Sequence, residues 1–328
     1  MRPKKEEEET YPRPDKTKTP TISPSFSKKL QLMLKKIPPD SSIASQVELV
    51  SKEDLEGWIH DLTSFHNRHS KSQYINKAAE WIYNEITKLG YPNNVNFDKY
   101  NEAGIPLKNV ICKKFGATVK HIILCAHYDT ILKEDFEDAQ SRAPGANDNA
   151  SGVVALLEIA KIISSINLEH NIQFAFFSGE EQAFWGSKHY AQRVKEDHID
   201  VHLVINLDMC AETGFLSSPK TANVDIDDGQ TGVVSSNNEP SQLFGLTMEQ
   251  IAKNYTDLKI EFDPIDASDY MPFEARGYVC IGAYDGSAKD SNPHYHSSTD
   301  IPSNLNINFL VSVTKMVLAT VLYEGHII

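Results

Sequence analysis

The sequence predicts an α/β protein with a mostly parallel, mixed central sheet and helices on both faces. Two observations predict it: strand-like apolar runs alternate with helical segments through most of the chain, and that alternation implies crossover connections covering a largely parallel sheet. Bulk composition agrees. The 328 residues are 40% apolar and 23% charged, ordinary proportions for a globular chain, and a chain of this length buries enough surface to sustain its own core. No internal repeat is visible.

Taken in order, residues 1–45 are rich in Lys, Glu, Pro, Ser and Thr, with little apolar content before Leu30, Leu32, Met33 and Leu34. They read as a charged, largely flexible tail with room for a short amphipathic helix near 26–36. Residues 46–328 read as a single domain. Ser51, three residues before Asp54, resembles the start of a capping box and opens a helix through SKEDLEGWIHDLTSFH. A second helix runs from about Tyr74 to Leu89 and ends at Gly90 and Pro92. Strands are expected at 109–115, 121–129, 171–179, 202–209, 258–262 and 278–284. Helices are expected near 150–165, 183–195, 241–254 and 304–323.

Charge and cysteine usage narrow the function. With 45 acidic against 32 basic residues the formal charge is -13, which argues against nucleic-acid binding, because that affinity rests on clustered cations. Cys112, Cys125, Cys210 and Cys280 are too widely spread for a zinc knuckle or a disulfide framework and read as reduced and mostly buried. The amino terminus lacks the apolar run of a signal peptide, and no later stretch approaches the eighteen or so apolar residues of a membrane span. A cytoplasmic protein without a membrane partner is expected; the oligomeric state stays open.

In open α/β sheets ligands gather at the carboxyl ends of the strands, and four such ends hold metal-type side chains. His127 and Asp129 close the second expected strand, and their two-residue spacing puts both on one side of an extended backbone with Tyr128 opposite. That suits a His ligand oriented by a carboxylate. Asp148 lies in the turn-rich PGANDNASG just ahead of a helix, and the two oxygens of one carboxylate can bridge cations at the roughly 3.5–4 Å spacing of two-metal hydrolases. Glu180 and Glu181 directly follow a strand, where neighbouring side chains diverge, so one can bind metal while the other reaches a metal-bound water. Asp208 ends VINLDM, and His294 and His296 lie in NPHYHSSTD beyond the last strand. Two His and three carboxylates at successive strand ends, plus a spare Glu, are a costly coincidence unless they bind metal.

Residues 51–328 resemble the zinc-dependent aminopeptidases of the bacterial leucyl aminopeptidase and aminopeptidase Y type. AHYDT, PGANDNASG, GEEQAFWGS, NLDM, ASDYMPFEARG and HSSTDI occur in the family's order, and LTSFHNRHS at residues 62–70 is similar to its amino-terminal helical region. The resemblance implies the three-layer phosphorylase/hydrolase-like fold of zinc-dependent exopeptidases and two Zn2+ ions per chain. His127 and Asp208 would bind one, Glu181 and His296 the other, with Asp148 between them. Glu180 would be the general base, a metal-bound hydroxide the nucleophile and Asp129 the residue orienting His127. The peptide bond after Asp148 is often cis in such enzymes. The implied substrates are peptides with a free amino terminus.

The chain departs from the family pattern at Tyr270, where His often follows the Ser-Asp pair, and at Ile265, where some members carry a Tyr that aids the oxyanion. The HSSTD spacing favours His296 over His294 as ligand and leaves Asp300 to support the loop. Met209, Cys210, Phe273 and Tyr295 adjoin the ligands as candidates for an apolar side-chain pocket or as plain core. Three other readings remain on the same fold: a one-zinc glutaminyl cyclase, a carboxypeptidase or dipeptidase, and a non-catalytic binding domain.

Overall fold

The computed structural model describes residues 32, 34, 36–213, 220–229, 232–286 and 292–328. The amphipathic helix expected near 26–36 and most of the expected tail lie outside the described residues. From Ile37 the chain joins the core, and the expected domain boundary at about 45 falls within the first described helix, α1 (Ser41–Val47), which buries Ile43 and Val47. The side chain of Asp40 caps it, accepting from the Ser42 and Ile43 amides at 2.7 and 3.4 Å.

Helix α2 (Lys52–Ser64) opens as expected, with Ser51 Oγ accepting from the Asp54 amide at 3.2 Å. The reciprocal half of a capping box is missing: the Ser51 amide donates to Glu158 Oε1 at 2.7 Å instead, which ties this turn to a neighbouring helix. Helix α3 (Ile75–Lys88) stops where Gly90 takes a positive φ of 110°.

Among the described residues, eight strands form one sheet in the order β1-β2-β4-β3-β5-β8-β6-β7. They are β1 (Val95–Glu102), β2 (Ile105–Lys114), β3 (His121–His127), β4 (Asn171–Phe177), β5 (Val201–Leu207), β6 (Thr221–Ile226), β7 (Lys259–Pro264) and β8 (Cys280–Tyr284). The pairings β3–β4, β3–β5, β5–β8 and β6–β7 are parallel, and β1–β2, β2–β4 and β6–β8 are antiparallel. All six expected strands are present. The two that were not expected have physical reasons to be inconspicuous: β1 is a polar edge strand, VNFDKYNE, and β6 is the six-residue TANVDI.

Period-two alternation divides the interior into two layers of packing. Ile122, Leu124 and Ala126 of β3 join α1–α3, α4 (Gly152–Ile163), α6 (Asn238–Tyr255) and α8 (Ile307–Glu324) on one face. Ile123 and Cys125 point the other way, towards α5 (Trp185–Glu196) and the short α7 (Met271–Glu274). The result is the three-layer arrangement, with all four cysteines free and buried. By length and composition alone α8 is able to cross a membrane, contrary to the expectation that no stretch would be. Its Leu310, Val313, Val317 and Val321 are instead buried in the larger cluster.

From β3 the chain moves to β4 on one side and, through α5, to β5 on the other. The carboxyl end of β3 is therefore the switch point, where no crossover helix fills the crevice between diverging connections. Leu124 is fully buried in this strand; Leu124→Ala is expected to cost about 2–5 kcal/mol, read as a lower urea midpoint at unchanged slope.

Candidate metal centre

The switch point gathers side chains from five segments. His127 is the last residue of β3, Glu180 and Glu181 follow β4, Asp208 follows β5, Asp148 comes from the turn before α4 and His296 from the loop after β8. Each faces the same small space. His127 Nε2 lies 3.2 Å from Asp148 Oδ1 and 3.3 Å from Asp208 Oδ1. His296 Nε2 lies 3.0 Å from both Asp148 Oδ2 and Glu181 Oε1. The two oxygens of Asp148 thus face two different imidazoles. Two three-residue groups able to hold a metal result, His127–Asp148–Asp208 and Asp148–Glu181–His296, which share Asp148; a third, His127–Glu180–Glu181, places Glu180 beside both.

The donor set fits zinc. Tetrahedral ligands at about 2.0–2.1 Å from the ion are separated from one another by roughly 3.3 Å, close to the 3.0–3.3 Å found here. Glu181 Oε1 is buried beside His296 Nε2, and carboxylates buried this close together need a cation or a proton to offset their charge. Without an ion, protons take that place. Burial lowers both imidazoles, but Asp208 and Glu180 around His127, and Glu181 and Asp148 around His296, more than reverse it. His127 is raised well above the ordinary range and His296 to about 10. Burial also raises Asp148, yet the hydrogen bonds of His127 and His296 hold its carboxyl far below the usual range.

Backbone clamps set these positions. Asp129, expected to orient His127, holds its Oδ1 3.6 Å from His127 Nδ1 as a buried ion pair, longer than a hydrogen bond. Its carboxylate also accepts from the amides of Glu180 and Glu181 at 3.1 and 3.2 Å, fixing where the β4 turn aims those two side chains. Asp300 does the same for the other turn, accepting from the amides of Asn147 and Asp148 at 2.8 and 3.0 Å. The Asp148–Asn149 peptide bond is cis. Gly145 opens this turn at a φ of 55°, and a Cβ there would stand 2.2 Å from Thr130 Cγ2 and 2.3 Å from Asp148 O, so only glycine fits.

Several contributors were not singled out in the sequence. Arg68 is fully buried and donates to the carbonyls of Tyr128 (2.6 Å), Leu62 (3.2 Å), Pro144 (2.5 Å) and Gly145 (2.9 Å). Burial lowers this guanidinium to about 10, opposed by the field of Asp300, Asp129 and Asp148. Only its place inside LTSFHNRHS hinted at a role. Ser268 Oγ donates to Asp208 Oδ2 at 2.7 Å, and Asn147 Nδ2 donates to Asp285 Oδ2 at 2.9 Å. Asp269 is wholly buried nearby, its carboxyl lifted by burial to about 7.

Other candidates fall outside the cluster. His294 Nδ1 pairs with Thr299 Oγ1 at 2.7 Å and stays in its own loop. Tyr270 turns its hydroxyl to Asp225 Oδ2 at 2.8 Å, and Ile265 is buried in the smaller apolar cluster, so neither position offers an oxyanion donor. Cys210 and Phe273 are fully buried core residues. Tyr295 stacks on His296 with ring centroids 3.7 Å apart.

Comparison with known proteins bears on family and fold. The profile described as Peptidase family M28 matches residues 109–321. A protein of Arthroderma otae named "probable leucine aminopeptidase" is 28% identical over 292 residues, covering 85% of this chain and 74% of its own. A protein of Pyrenophora teres named "probable zinc metalloprotease" is 30% identical over 191 residues, 52% of this chain and 39% of its own. In fold, the LapA aminopeptidase of Legionella pneumophila superposes with a TM-score of 0.75 at 19% identity, over 88% of this chain and 73% of that one.

The raised His296 gives a pH signature. A folded value of about 10 against an ordinary 6.5 means that the proton on His296 stabilises the metal-free fold fully below pH 6.5, and that this contribution is lost as pH rises towards 10. Urea melts of chelator-treated protein are expected to weaken across that window, and to weaken less in His296→Ala; identical slopes in the two proteins would count against the site's electrostatics.

Proposed function

The chain belongs to peptidase family M28, and on that premise we propose that it is a two-zinc aminopeptidase, removing the first residue of peptides with a free amino terminus. One observation carries the reading: the oxygens of Asp148 face His127 and His296 separately, at 3.2 and 3.0 Å. A carboxylate so placed suits two cations side by side. His127, Asp148 and Asp208 would hold one zinc and Asp148, Glu181 and His296 the other. Zinc as the metal and the free amino terminus as the point of attack draw on the names of the relatives. When bound, zinc polarises the scissile carbonyl and acidifies a water.

The chain supplies the proton transfer and the alignment. Glu180 lies within reach of His127 and Glu181 but outside the two groups that share Asp148, which leaves its carboxylate to accept the proton of the attacking water and return it to the leaving amine nitrogen. Burial raises Glu180 well above the ordinary carboxylate range; His127 opposes the shift, and Glu181 and Asp208 add to it. That carboxyl would be lowered again by cations bound beside it and kept ionised to accept a proton. Asp129 holds the amides of both glutamates, so the divergence of their side chains is built into the backbone. Ser268 turns Asp208, and Asp300 turns Asp148, towards the shared space.

Glu180→Ala tests the assignment. Zinc content and melting behaviour are expected to stay near wild type while kcat falls by at least about 10²–10⁴-fold; undiminished turnover would refute Glu180 as base. Acetylation of the substrate's amino terminus is expected to abolish cleavage, measured by product release from paired free and blocked peptides.

A further inference from the structure

Between Asp129 and Pro144 the chain makes a loop along the rim of the metal centre, and Phe136 stands on it 57% exposed. An isolated exposed aromatic on a loop is ordinary in itself. This one is held in place. Lys133 N donates to His296 O at 2.8 Å, joining the loop to the segment that bears a proposed ligand. Lys71 N donates to His69 Nδ1 at 3.0 Å, which makes that nitrogen an acceptor and leaves the hydrogen on Nε2. His69 Nε2 therefore donates to the carbonyl of Phe136 itself, at 3.0 Å. Asn67 Nδ2 donates to Ala139 O and Ser141 O at 3.1 and 2.9 Å, and the Ala143 amide to His66 O at 3.0 Å.

So braced, the loop sets the Phe136 ring edge-on to His296, with centroids 6.4 Å apart and planes at 86°. Tyr295 stacks on the same imidazole, and the three rings make one aromatic surface running from the metal centre outwards. We propose that Phe136 is a specificity-determining residue whose ring packs against an apolar side chain on the second residue of the peptide, just beyond the scissile bond. This rests on the aminopeptidase reading. In an exopeptidase the first residue ends inside the site, while the remainder of the peptide leaves across the rim. A half-exposed ring on the rim meets the outgoing chain.

The test uses zinc-loaded wild type and Phe136→Ala on Leu-X-Ala peptides, with X as Phe, Leu, Ala or Gly, and on leucinamide, which has no second residue. Wild type is expected to favour Phe and Leu at X. In the variant that advantage should shrink by roughly tenfold in kcat/KM, mainly through KM. Zinc content and leucinamide turnover should be unchanged, and Phe136→Leu should restore part of the preference. An unaltered X preference in Phe136→Ala would overturn the proposal, as would an equal fall on leucinamide. If wild type cleaves none of these substrates, the aminopeptidase reading fails by itself. Phe136 is then judged by calorimetric binding of Leu-Phe and Leu-Ala to the Glu180→Ala protein with and without Phe136→Ala: equal affinity ratios reject the contact, and a lost Leu-Phe preference upholds it.

Discussion

Negative charge packed out of water has to be met by positive charge, and that requirement organises this molecule. Asp129, Asp148, Glu180, Asp269 and Asp300 are all buried around one crevice, and carboxylates so close cannot all stay ionised without cations among them. The imidazoles of His127 and His296 and the guanidinium of Arg68 answer part of the demand. Arg68 reaches the carbonyls on both sides of the crevice rather than any one acid, so it steadies the backbone while its field favours three carboxylates at once. What remains at Asp148, Glu181 and Asp208 is a set of oxygens spaced for metal.

The fold makes that arrangement possible by delivering loops from different strands to one place. Parallel β3, β4, β5 and β8 end side by side, and turns leaving them converge without long excursions. Precision then comes from carboxylates that bind backbone. Asp129 accepts two amides of the β4 turn and Asp300 two amides of the Asp148 turn; each fixes a segment by two bonds, and so the direction of the side chain on it.

Much of this was legible in the sequence because strand ends and polar residues coincide there. The runs around Leu124, Phe174 and Ile205 are apolar enough to mark buried strands, and His127, Glu180, Glu181 and Asp208 are where those runs stop. The structure brings Asp148 and His296 to the same point, though pairing them required the resemblance and not periodicity. Other features left little trace. β1 mixes polar residues into an edge strand, and the helix at Ser41–Val47 follows a tail whose composition hid it. Residue spacing predicts that Asp129 points towards His127 but not that its carboxylate also meets the distant amides of Glu180 and Glu181. Arg68 and Asn147 act through long-range backbone and side-chain contacts, and Cys210, close in sequence to Asp208, is buried in the core, as is Phe273.

The arrangement around Asp148 is most directly tested by diffraction from zinc-grown crystals at wavelengths on either side of the zinc absorption edge. Two anomalous peaks are expected, one between His127 and Asp208 and one between Glu181 and His296, with the Asp148 carboxylate touching both. A single peak, or zinc held by residues that do not include Asp148, would contradict the account.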